Sequence, residues 1–161
     1  MKRRLDFSRL QRGELIAAAG GLLLIISLFL PWFGVDVKAG GGGVQEHICG
    51  NDTSCTAWQT FNILDFLLVA AGAAPLILIW IIVRGHELSW PPGEVTAIVG
   101  ITANALIVYN GVIDRVGTER DFVSLDVGWY LGFVATLVIL VGAALSRFSR
   151  GGDVRRPPGT F

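Results

Sequence analysis

A chain of 161 residues that is 52% hydrophobic and only 16% charged is too apolar for an ordinary water-soluble domain. Its mean hydropathy is +0.59, and 13 basic residues balance 13 acidic ones. A net charge of zero gives no overall preference for an acidic or a basic partner, so the information lies in where charge and apolarity fall along the chain.

The chain opens on a basic tail, residues 1–14, with Lys2, Arg3, Arg4, Arg9 and Arg12. Four long apolar runs follow, at about 15–33, 63–83, 95–113 and 127–145, and Asp65 is the one acid inside them. Each approaches the ~20 residues that a helix needs to cross about 30 Å of hydrocarbon. The runs lack the alternation of a barrel strand, and in lipid every backbone polar group must be paired within the protein. The expected fold is therefore all-α: a four-transmembrane-helix bundle at 15–146, built as two antiparallel hairpins. A basic tail, 147–161, closes the chain.

Loops 34–62 and 114–126 are rich in acids, whereas both tails are rich in arginine. The positive-inside bias then puts both termini and the Arg84–Gly93 turn in the cytoplasm, with the two acidic loops outside. A cleaved signal peptide ending near Val37-Lys38-Ala39 is the competing account of the first run. That run exceeds the ~7–15 residues of a signal core, which favours an uncleaved helix.

The tryptophans fit the same frame. Trp32, Trp58 and Trp129 fall near the outer ends of the runs and Trp80 and Trp90 near the inner ends, where an indole serves as an interfacial anchor. Gly13-Glu14-Leu15-Ile16-Ala17 with Gly20 is echoed by Gly93-Glu94-Val95-Thr96-Ala97 with Gly100. An internal repeat of two hairpins explains the echo, as does convergence on good helix starts. Small or polar residues recur every four positions at Gly13, Ala17 and Gly21, at Thr96, Gly100 and Asn104, and at Gly128, Gly132 and Thr136. Such stripes let helices approach closely. Pro75 removes a hydrogen bond from the second run and predicts a kink.

Chemistry-bearing residues are few. Cys49 and Cys55 lie in the long glycine-rich outer loop and are expected to form a disulfide over a turn-forming stretch. A metal site with His47 and Glu46 or Asp52 matches no standard zinc spacing, so no metal and no cofactor is expected. Asp65, near the outer surface, and Asn104, near mid-membrane, are candidates for an intramembrane polar site, with Arg115 as the partner nearest in depth to Asp65. Nucleophile elbow, zincin helix, P-loop and dinucleotide fingerprint are all missing, so no catalytic residue is proposed. The arginines of the tails are accounted for by orientation and by anionic headgroups, without nucleic acid.

The segments "GELIAAAGGLLLIISLFLPWF", "TAWQTFNILDFLLVAAGAA", "PPGEVTAIVG" and "GWYLGFVATLVILVGAALSR" carry a resemblance across nearly the whole chain. It resembles the small four-helix membrane proteins of high-GC, actinobacterial-type bacteria, a group with no assigned activity. The resemblance implies a bacterial plasma-membrane protein and transfers no site residue. The reading that follows is a structural or accessory membrane subunit that works in the lipid bilayer as a homo-oligomer or beside another membrane protein. A small oligomeric transporter or channel using Asp65 and Asn104, or an outward redox or ligand sensor using the Cys49–Cys55 loop, are the alternatives.

Overall fold

The computed structural model describes residues 10–36, 49, 52–61, 63–85, 91–113 and 123–150. In chain order these form helix α1 (Arg12–Ser27), strands β1 (Pro31–Val35) and β2 (Ser54–Thr56), the short helix α2 (Ala57–Thr60), α3 (Leu64–Val83), α4 (Pro92–Val108) with a π-helical turn at Tyr109–Ile113, strand β3 (Val123–Leu125) and α5 (Val127–Arg150). The protein is mostly helical. Among the described residues, three helices are long and apolar enough to cross a membrane: Leu64–Val83, Pro92–Ile113 and Val127–Ser149.

The first run departs from expectation. Instead of one helix over 15–33, α1 begins at Arg12, inside the stretch assigned to the tail, and stops at Ser27 after 16 residues. At ~1.5 Å per residue it is about 24 Å long. Its end is chemically specified: the Ser27 hydroxyl donates to the Leu24 carbonyl at 2.7 Å, and the Trp32 indole N–H donates to the Ser27 carbonyl at 2.7 Å. Pro31 has no N–H and disfavours helical geometry at Leu30, so the chain leaves the helix and becomes extended.

That extended piece, β1, is the centre of a three-stranded antiparallel sheet in the order β2-β1-β3. Phe33 lies opposite both Cys55 and Leu125, and Val35 opposite Val123. The Asp126 backbone N–H donates to the Trp32 carbonyl at 2.9 Å, which ties the start of α5 to the sheet. The sheet and α2 form a cap on one end of the bundle. The opposite end, where α1 begins and α5 finishes, is the terminal end.

Below the cap, α1 packs against α5 and α3, α4 packs against α5, and α3 meets α4 more loosely. Glycines set the tight contacts. A Cβ on Gly20 would fall 2.8 Å from the Ile139 backbone nitrogen, and one on Gly72 would fall 2.8 Å from the Gly21 carbonyl oxygen. The expected α1 stripe therefore divides: Gly13, Ala17 and Gly20 meet α5, whereas Gly21 meets Gly72 and Pro75 of α3. A helix turning 100° per residue presents neighbours 20 and 21 to different partners, so one helix serves two interfaces. Helix α3 runs unbroken through Pro75, whose buried ring fills the space beside Gly21.

The echoed Gly-Glu starts converge in space, since Gly13 and Gly93 both abut the Ser146 turn of α5. An exact two-hairpin symmetry would nevertheless make the α1–α5 and α3–α4 contacts equivalent. They are not, because α3 and α4 enclose an apolar groove of about 280 Å³ lined by residues such as Leu67, Ala70, Ile98 and Thr102.

Candidate functional site: a buried acid beneath the cap

The second residue of α3, Asp65, is 0% exposed, the most buried ionisable side chain among the described residues. It shares one face of the helix with Leu68, Gly72 and Pro75, spaced three, seven and ten positions on, and this face is turned to α1. Gly72 abuts Gly21, so two turns toward the cap Asp65 reaches the level of Leu28, just past the end of α1. Neither carboxylate oxygen has a hydrogen-bond partner among the described residues. Buried polar groups are ordinarily bonded, and this exception marks the site.

Of the residues expected at an intramembrane polar site, Asp65 and Asn104 share no hydrogen bond. Asn104 directs its amide N–H to the Thr136 hydroxyl oxygen at 2.8 Å, joining α4 to α5. The Thr136 hydroxyl in turn donates to the Phe133 carbonyl at 2.7 Å. Asn104 is thus an interhelical brace rather than a partner of Asp65. Arg115 lies outside the described residues, as do His47, His86, Trp90 and the glycine run.

The tryptophans also separate. Trp58 and Trp80 are 39% and 53% exposed, as anchors at a lipid boundary would be. Trp58 is part of an exposed aromatic row with Phe29 and Phe66, at ring separations of 6.0 and 5.8 Å. The Arg84 guanidinium sits over the Trp80 ring, 3.9 Å from its centre. Trp32 and Trp129, by contrast, are core residues at 0% and 7% exposure. Trp32 fills the space that side chains at Gly128 and Gly132 would need, and meets Phe61 edge-on at 6.2 Å. Each buried indole also has an acceptor for its N–H, Ser27 for Trp32 and Ile107 for Trp129. Their sequence positions resemble belt tryptophans, but their polar atoms are satisfied inside the protein.

Cys49 and Cys55 form a disulfide, with Cα atoms 5.0 Å apart. Both are buried, and Cys55 is held in the sheet opposite Phe33. The bridge therefore fastens residue 49 to β2 and completes the core under the cap.

Glu14, expected at the helix start where the basic tail ends, is buried in the first turn of α1 and accepts the Gln11 backbone N–H at 3.1 Å. It faces a cavity of about 10 Å³ at the terminal end, with Pro75, Ile82, Thr96 and Ser146 contributed by the other three long helices. The available signal was its three-residue offset from Ala17, which places both on one helical face. At the same end Arg147 pairs with Glu94 at 3.1 Å on an exposed surface.

Among the described residues, no group of three His, Cys, Asp or Glu side chains is placed to hold a metal ion. Compared with known protein families, curated proteins and solved structures, the chain matches none.

Proposed function

We propose that this protein is a multi-pass membrane subunit that acts as a structural or accessory component, with four crossing helices, both termini in the cytoplasm and the sheet cap outside. The observation that carries the reading is how the interior polar groups are used. Ser27, Thr96, Thr136 and Ser146 are all buried, and each donates its hydroxyl to a backbone carbonyl of its own helix. Together with the glycine contacts, this supports a bundle whose buried hydroxyls are directed to packing. The exposed apolar faces of the three long helices then serve lipid or a neighbouring membrane chain.

The test is the native mass of the protein extracted in mild detergent, with all co-purifying chains identified. A stoichiometric foreign membrane protein supports the accessory role. A pure homo-oligomer that carries ion flux in vesicles overturns it. The carboxylate of Asp65, without a hydrogen-bond partner among the described residues, favours that second reading, a small oligomeric transporter or channel, in which Asp65→Asn abolishes flux while expression is unchanged.

A further inference from the structure

The unexplained feature is the electrical environment of Asp65. Its carboxylate is fully buried and its two oxygens are unpartnered among the described residues. Of the elements packed around it, the cap half of α1 supplies Leu24, Ile25 and Ser27, followed by Leu28, with the Ser27 hydroxyl already committed to Leu24. Strand β1 and helix α2 contain no ionisable residue, and the cap half of α4 offers only Tyr109, which is half exposed. On α5 the ionisable group at this end is Tyr130, also exposed. The remaining charged groups described at the cap are Asp36, Asp52 and Asp126, all of the same sign as Asp65.

The described arginine side chains lie at the other end. Arg12 opens α1, Arg147 pairs with Glu94, and Arg84 follows the last turn of α3. Arg84 is about 28 Å from Asp65 along the helix at ~1.5 Å per residue. The positive end of the α3 dipole offers only partial compensation, of roughly half a charge. A metal cation needs several ligands, and among the described residues Asp65 belongs to no group of three His, Cys, Asp or Glu side chains placed to hold one. A proton needs one oxygen and no coordination shell.

We propose that Asp65 is a proton-binding site: a hydronium ion gives its proton to one carboxylate oxygen, forming an O–H bond on the buried side chain and leaving a water molecule, and the proton departs by the reverse step. The site rests on the membrane-embedded reading of the bundle, and is the same whether the protein is an accessory subunit or a transporter.

The experiment treats the full chain in lipid vesicles with the apolar reagent dicyclohexylcarbodiimide. This reagent takes the carboxyl proton, adds the carboxylate at its central carbon and rearranges to a stable N-acylurea. Peptide mass spectrometry should find the adduct at Asp65, with a yield that falls as pH is raised and is lost in Asp65→Asn. If Asp65→Asn fails to fold, the site and pH profile in the unaltered chain decide the matter. Absence of the adduct at every pH overturns the proposal, as does its appearance only in Arg115→Gln, which would make Asp65 half of an ion pair. Protection by sodium ions overturns it in favour of a metal cation. Equal reaction with a water-soluble carbodiimide would instead show Asp65 open to water, and so overturn the embedded reading on which the site rests.

Discussion

Trp129 combines two constraints at the cap end of α4. Its indole N–H donates to the Ile107 carbonyl at 3.1 Å, and its ring occupies the volume that any side chain at position 111 would need. The π-helical turn over Tyr109–Ile113 lies at this point, where an outside donor takes a helical carbonyl. Gly111→Ala should therefore destabilise the fold by about 1–3 kcal/mol, the usual range for overpacking. Trp129→Phe should lose about 1 kcal/mol through the missing hydrogen bond. Both are read as midpoints of thermal unfolding in detergent, with the alanine variant expected to melt lower. Asn104→Leu removes a single interhelical hydrogen bond, so its cost should be only about 0.6 kcal/mol. A much larger loss would mean that Asn104 does more than brace α4 against α5.

At the scale of elements, the glycines differ in what opposes them. A Cβ at Gly142 would strike the backbone of Gly13 and Ala17, which cannot move without shifting α1 as a whole. At Gly100 the nearest atom is the Leu140 Cδ2, 2.9 Å away at the tip of a flexible side chain. Gly142→Ala should thus reduce the folded fraction sharply and Gly100→Ala only slightly, as judged by the monodisperse peak in gel filtration. Equal effects would show that α1 and α5 can separate without penalty. The cap has its own weak point in two strands of three residues each, too short to persist alone. The disulfide restrains the connection to β2, and closing so small a loop stabilises by roughly 2 kcal/mol. Cys55→Ser should lower the thermal midpoint accordingly while leaving the helical content of the three long helices intact.

For the whole molecule, the short α1 sets the geometry. Its helical part gives way to β1 before the length expected of a span, and the sheet binds that end to the segments preceding α2 and α5. One terminal position and one cap position therefore test the proposed topology. Single cysteines placed at Ser149 and Ser124, in a chain lacking the native pair, should react with a membrane-impermeant maleimide from opposite sides. Reaction of both from one side would eliminate the proposed crossing. The contrast between close-packed α1–α5 and the grooved α3–α4 pair also argues against strict duplication at the level of packing, even though both Gly-Glu starts meet Ser146.

Local composition carried the helical character, three of the four expected membrane-length helices and the pairing of the only two cysteines, because hydrophobic length and cysteine number are written in the residues themselves. It also marked Asp65 as exceptional, since an acid within an apolar run is visible without coordinates. The tertiary structure alone decided that Pro31–Val35 is a strand, for its partners are at 54–56 and 123–125 and no neighbouring residue announces them. It likewise turned Trp32 and Trp129 inward and buried Glu14 among four helices. Hydrophobicity says how much surface must leave water, whereas the direction each side chain faces depends on which remote segment arrives to cover it.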